Sequence, residues 1–128
     1  MKPTLYLIRG IPGSGKTTLA NAMVDALQAS HVETDQFFET PEGYKFDGWK
    51  LKAAHEWCQS TVKDRLTAGD TVIVSNTFTR VWEMQPYLDM GFPVVILECK
   101  GTWNSVHPVP AEAIQKMRDR WETYPVGA

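Results

Sequence analysis

The sequence predicts an α/β domain built on a parallel sheet of about four to five strands, with helices covering both faces. Three observations predict it. Short apolar runs of strand length alternate with helix-length segments along the chain. Residues that interrupt regular structure separate them, at Gly69-Asp70, Gly91 and Pro108-Val109-Pro110. A glycine-rich stretch, Gly10 to Gly15, also lies between the first strand and the first helix, and in such alternating folds the ligands sit at the carboxyl ends of the strands.

The first strand is expected at residues 4–9, where Leu5-Tyr6-Leu7-Ile8 form a continuous apolar run. A helix follows at 15–29, because Leu19, Ala22, Met23, Ala26 and Leu27 recur at helical spacing. A short strand at 31–34 and a helix at 48–68 repeat the unit. Thr71-Val72-Ile73-Val74-Ser75 reads as the third strand, residues 81–90 as a short helix, and Val94-Val95-Ile96-Leu97-Glu98 as the fourth strand. Residues 111–123 supply the last helix. No internal repeat, low-complexity tract or linker interrupts the series.

The chain has 128 residues, 43% hydrophobic and 22% charged, which suits one domain spanning 1–128 with a single core and leaves no room for a second. A net charge of -2 gives no general basic field, so a nucleic acid would have to be held by a local patch. Cys58 and Cys99 lack C-x-x-C spacing, which argues against a metal or disulfide framework and for reduced core thiols. Met1-Lys2-Pro3 runs straight into a strand, with neither a signal-peptide block nor a membrane-spanning stretch, so a soluble, cytoplasmic protein without membrane contact is expected. Nothing in the sequence specifies a protein partner.

The chemistry is concentrated in Gly10-Ile11-Pro12-Gly13-Ser14-Gly15-Lys16-Thr17, a complete Walker A pattern, G-x-x-x-x-G-K-[ST], between a strand and a helix. That context predicts a P-loop NTPase fold. A triphosphate needs several donors converging on its oxygens without side chains in the way. Gly10, Gly13 and Gly15 let the backbone turn its N–H groups inward, while Pro12 fixes one φ angle and removes a donor. Ser14 and Thr18 complete the nucleotide-binding set. Lys16 is placed to bridge the β- and γ-phosphates, and the Thr17 hydroxyl to ligate the Mg²⁺ that accompanies ATP.

Glu33-Thr34-Asp35-Gln36-Phe37-Phe38 follows the second strand and should emerge on the same edge as the phosphate loop. A carboxylate at Asp35 could accept the proton of an attacking hydroxyl, or simply cap the turn beyond the strand. One of Phe37 and Phe38 is expected in the core, the other being free to stack on a base. Trp49, Trp57, Trp82 and Trp121 are expected in core or helix packing, and His55 is assigned no role.

With these blocks in hand, the chain resembles the polynucleotide-kinase-like branch of the P-loop kinases, which includes phage 5′-hydroxyl polynucleotide kinases and small ATP-binding proteins. The resemblance rests on Leu7 to Ala20, on Thr34-Asp35-Gln36-Phe37-Phe38, on Ala54-His55-Glu56-Trp57-Cys58, and on Asn76-Thr77 with Trp82-Glu83-Met84-Gln85-Pro86-Tyr87. His107-Pro108-Val109-Pro110, Ile114, Met117 and Arg120-Trp121-Glu122 extend it to the tail. It implies that Asp35 is the general base and that Lys16 and Thr17 serve the phosphates and Mg²⁺. The implied activity is transfer of the γ-phosphate of ATP to a hydroxyl, on a polynucleotide 5′ end, a nucleoside or a nucleotide. A different class is a nucleotide-dependent regulatory protein with little or no kinase activity.

This sequence departs from the family pattern at four places. Gln36 replaces a frequent second acid, and Phe38 stands where the phage kinases use an arginine. Val74-Ser75-Asn76-Thr77 lacks the acid that relatives commonly carry near that strand end, although Ser75, Asn76 and Thr77 could hold a water of the Mg²⁺ shell. The stretch between Lys100 and Pro110 is shorter than the usual lid and contains no arginine. A transition-state cation would then come from Arg9, Arg80, Arg118, Arg120 or a partner, and Trp103 and His107 could cover the adenine. Arg118 and Arg120 are two residues apart, so on a helix they point in directions about 200° different and at most one can face the site.

Overall fold

The computed structural model describes residues 2–101 and 109–124, and in it the expected parallel sheet has four strands. These are β1 (Leu5–Arg9), β2 (Ser30–Val32), β5 (Val72–Asn76) and β6 (Val94–Glu98), in the order β2-β5-β1-β6. Register is parallel throughout: Ile8 lies beside Ser75 and Leu97, Arg9 beside Asn76 and Glu98, and Val32 beside Val74. All four strands therefore end on one edge. Two further strands, β3 (Glu39–Thr40) and β4 (Gly43–Tyr44), form a small antiparallel hairpin that the sequence pattern did not reveal.

Side-chain alternation along the strands sorts the core into two layers. Leu5, Leu7, Val72, Val74 and Ile96 face one side, where they meet α2 (Leu51–Thr67) and α3 (Gln85–Leu88). On α2 the buried residues are Ala54, Cys58, Val62 and Leu66, one every four positions, which draws a single apolar stripe down the helix. Phe78, Met84 and Tyr87 complete this layer, with the Phe78 and Tyr87 rings edge to face at 5.7 Å. Ile8 and Ile73 face the other side, under α1 (Lys16–Leu27).

The elements depart from expectation in ways that have local causes. α1 packs through Leu19, Ala20, Met23 and Val24, whereas Ala22, Ala26 and Leu27 are exposed; the helix is turned by roughly 60° from the expected face. The expected helix at 81–90 breaks into a 3₁₀ turn (Val81–Glu83) and the short α3, because Pro86 lacks an N–H and its ring cannot pass the preceding turn. The last helix, α4, runs only from Ala111 to Asp119. Beyond it the backbone is drawn to the sheet instead, with the Glu122 N–H donating to the Thr79 carbonyl at 2.7 Å.

What holds that tail is Arg9, a fully buried cation at the end of β1. Its Nε and Nη2 donate to the Phe78 carbonyl at 3.1 and 2.7 Å, and Nη2 also reaches the Glu122 carbonyl at 2.7 Å. The guanidinium lies 4.1 Å above the Trp121 ring, and Nη1 is 3.9 Å from the Glu98 carboxylate. Burial pulls its pKa below the ordinary value while Glu98, Glu83 and Glu122 oppose that shift, so the charge is kept. Arg9→Met would leave two buried carbonyls unpaired and is expected to cost about 3 kcal/mol in urea unfolding, with earlier proteolysis of the C-terminal segment. An unchanged unfolding midpoint would show that the guanidinium is not the tie.

Candidate active site

The phosphate-loop residues occupy the turn from β1 into α1, and their backbone explains the glycines. The Gly10 N–H donates to the Thr77 carbonyl at 3.3 Å, and a Cβ on Gly10 would collide with Ser14 Oγ and stand 3.0 Å from the Cys99 carbonyl. Gly13 and Gly15 have φ of 82° and 99°, the left-handed region open mainly to glycine. Pro12 lies half-buried between them and the start of the loop, and Ser14 is buried. The Ser14 N–H donates to the Ile11 carbonyl at 3.2 Å, while its own carbonyl accepts from Gly101 at 3.1 Å, tying the loop to the end of β6.

The first bond of α1 runs from the Leu19 N–H to the Gly15 carbonyl at 3.0 Å. The N–H groups of Lys16, Thr17 and Thr18 consequently lie at the open amino end of the helix, without intrahelical acceptors and with the positive end of its dipole. Lys16 curls back so that Nζ donates to the Ile11 carbonyl at 3.2 Å. Burial lowers its pKa, while Cys99, Glu33 and Asp35 act to raise it, in that order. The loop thus concentrates donors and one cation, which is the arrangement that cradles phosphates.

The neighbouring strand ends carry the acids. Asp35 is exposed on a 3₁₀ turn (Thr34–Phe38) just past β2, and the Tyr44 hydroxyl donates to its Oδ1 at 3.2 Å. Burial, then the Asp35 charge and hydrogen bond, push the Tyr44 phenol up to about 12. The turn itself is pinned by Asn76, whose Oδ1 accepts from the Thr34 N–H at 2.9 Å, and by His55, with Nδ1 3.4 Å from Thr34 Oγ1. Asn76 and His55 are therefore anchors of the segment that carries Asp35.

Sequence reasoning assigned no role to a second acid, Glu33. The buried Ser75 hydroxyl, at the end of β5, donates to Glu33 Oε2 at 2.9 Å and lies 2.6 Å from His31 Nε2. Burial holds the His31 pKa below its ordinary value against the pull of Glu33, so the imidazole is neutral near pH 7 and its Nε2–H can donate to Ser75. The available signal was Glu33 leaving β2 beside a β5 end that carries no acid.

A cavity of about 340 Å³ opens on the other flank of the loop, lined by Ile11, Glu98, Cys99, Lys100, Gly101, Arg118 and Trp121. It separates Arg118, on the last helix, from Arg120, just past its end. Arg118 lines it, whereas Arg120 is turned away, its Nε donating to Thr79 Oγ1 at 3.0 Å. Arg80 pairs at 4.0 Å with Glu122, and Arg9 is consumed by the sheet. Trp103 and His107 lie outside the described residues. Phe38 is buried and Phe37 packs on Trp57, but Trp49 and Trp82 are 97% and 71% exposed and do not pack in the core as expected.

The family model described as an AAA domain matches residues 5–107. The chain belongs to that family. It is 30% identical over 135 residues to NEDD4-binding protein 2 of Homo sapiens, a match covering 94% of this chain and 8% of that protein's length. Among solved structures, a gluconokinase from Sinorhizobium meliloti 1021 superposes with a TM-score of 0.66 at 16% identity, covering 95% of this chain and 77% of that one. A chain of the Pnkp1/Rnl/Hen1 complex does so with 0.66 at 19% identity, covering 89% of this chain and 38% of its own length. At these identities the two structures share the fold. Among the described residues of this AAA-domain chain, no helix is long and apolar enough to cross a membrane.

Arg118 on α4 and Arg120 just beyond it should respond unequally. Arg118→Ala is expected to weaken nucleotide affinity or turnover by about tenfold, and Arg120→Ala to leave both near wild type while lowering the melting temperature. Calorimetry and turnover on both variants check this, and equal effects would remove α4 from the site.

Proposed function

We propose that this domain binds ATP with Mg²⁺ and transfers the γ-phosphate to a hydroxyl on a polynucleotide 5′ end, a nucleoside or a nucleotide. The observation that carries the reading is the gathering, on one sheet edge, of a complete phosphate loop with its lysine and a carboxylate, Asp35, on the turn just past β2. The open N–H groups of α1 suit the β- and γ-phosphates, with Lys16 bridging them. Thr17, exposed on the first turn of the helix, fits as the Mg²⁺ ligand. Mg²⁺, when bound, would neutralise part of the charge of the triphosphate.

Asp35 Oδ1 is engaged by Tyr44, which leaves Oδ2 to take the acceptor's proton. The acceptor oxygen then forms a bond to the γ-phosphorus as the bond to the β–γ bridging oxygen breaks, and ADP leaves. Tyr44 orients the carboxylate. A nucleobase-bearing acceptor is supported by the segment beside it, where Tyr44, Phe46 and Trp49 are all exposed and alternate with Lys45, Lys50 and Lys52. Exposed rings interleaved with lysines suit bases and phosphates better than a bare sugar, and with a net charge of -2 such a patch must act locally.

Incubation with Mg²⁺, γ-labelled ATP and a panel of 5′-hydroxyl DNA, RNA, nucleosides and small alcohols tests the reaction. Label is expected on a nucleobase-bearing acceptor, and Asp35→Asn should lower turnover by about 10²- to 10⁴-fold with ATP affinity nearly unchanged. Wild-type turnover in that variant would make Asp35 a turn residue, and no transfer to any acceptor would favour the regulatory reading. Trp49→Ala should raise the KM for an oligonucleotide by about tenfold, the worth of one stacked base, and leave that for ATP alone. A KM that does not move would take Trp49 out of acceptor binding.

A further inference from the structure

We infer that Glu33 is the acid that serves the Mg²⁺ of the nucleotide complex, standing at the end of β2 in place of a carboxylate on β5. The inference rests on the reading of this domain as an Mg²⁺-dependent nucleotide-binding protein and adds a residue to it.

The geometry starts from β5. That strand ends in Ser75 and Asn76, and it lies directly beside β1, which runs into the phosphate loop, with Ile8 opposite Ser75 and Arg9 opposite Asn76. Neither side chain at this end is at liberty to serve a cation. Asn76 gives its Oδ1 to the Thr34 N–H, and the Ser75 hydroxyl donates its proton to Glu33 Oε2 at 2.9 Å. The negative charge therefore arrives from the adjacent strand, since Val32 is paired with Val74 and Glu33 is the next residue along.

The arrangement holds that carboxylate in one orientation. The neutral His31 imidazole lies 2.6 Å from Ser75 Oγ, so Nε2–H can donate to Ser75 while Ser75 donates to Glu33. One Glu33 oxygen is thereby occupied. Oε1 has no hydrogen-bond partner among the described residues, and the side chain is 23% exposed, which leaves an acceptor facing water. Mg²⁺ keeps several of its waters and needs few direct protein ligands, so a carboxylate held this way at the end of β5, the strand next to the one that runs into the phosphate loop, suits a hydrogen bond to a metal-bound water. The two acids then divide the work, with Asp35 toward the acceptor and Glu33 toward the metal. Glu33 is thus a positioning residue, acting through the water shell.

The test is nucleotide binding without acceptor or turnover: calorimetry of the whole chain with a non-hydrolysable ATP analogue, in Mg²⁺ and in EDTA, with melting checked in parallel. Glu33→Gln should lower the affinity measured in Mg²⁺ by about 10- to 100-fold. In EDTA the affinity should be equal or higher, because a negative charge near the phosphates has been removed. A purely structural role for Glu33 would weaken both affinities together and leave their ratio unchanged. The double variant Glu33→Ser with Ser75→Asp moves the acid to β5 and is expected to regain most of the Mg²⁺ dependence, which also covers the case in which Glu33→Gln folds poorly. An Mg²⁺-to-EDTA ratio in Glu33→Gln equal to wild type, or a double variant no better than Glu33→Ser alone, overturns the assignment. A wild-type protein whose binding ignores Mg²⁺ overturns the metal reading itself, and the role of Glu33 with it.

Discussion

The buried guanidinium of Arg9 is the interaction around which the site edge is assembled. It lies at the last position of β1, one residue before the phosphate loop begins, and it takes up carbonyls from the segment after β5 and from the tail after α4. Its ion-pair partner, Glu98, is the last residue of β6. A cation in that position joins pieces of chain that are remote in sequence, and its flat face gives Trp121 a reason to lie against the sheet. Without such a tie the tail would have little to hold it, since α4 buries no residue completely.

That tie also shapes the two flanks of the phosphate loop. On the β6 side, Trp121 and Arg118 close a cavity against Ile11 and the end of β6. On the β2 side, the polar groups of β5 are spent on holding the neighbouring segment, with Asn76 fixing the turn that bears Asp35 and Ser75 fixing Glu33. The site is thus asymmetric, cationic and aromatic toward the last helix and acidic toward β2. Such a division suits a reaction in which a triphosphate must be neutralised at one place and a proton accepted at another.

The exposed aromatic residues are the feature least expected from packing arguments. Trp49 follows Asp47, whose carboxylate caps the short turn by accepting from the Trp49 N–H at 3.0 Å, so its backbone is held although its ring is bare. Phe46 packs on the Phe38 ring at 5.0 Å and remains more than half exposed. Rings on restrained backbone lose little entropy when something stacks on them, which is the property of a binding surface.

The sequence by itself determined the parallel α/β class, the four strands of the sheet, and the position of the phosphate loop with Lys16 and Thr17, because these depend on local signals. Apolar runs of strand length, helical spacing and a glycine pattern whose backbone must be bare are all short-range properties. Which face α1 buries, the break of the helix near Pro86, the Glu33–Ser75–His31 chain, the pinning of the Asp35 turn by Asn76 and the unequal fates of Arg118 and Arg120 were decided only in tertiary structure. The reason is that each depends on partners far apart in the chain. Ser75 and Glu33 are 42 residues from each other, and Arg9 and Glu122 are 113 apart. No local pattern encodes which polar side chain will meet which once parallel strands come into register, and a buried arginine in a sequence looks the same as a solvated one until the carbonyls that hold it have been brought together.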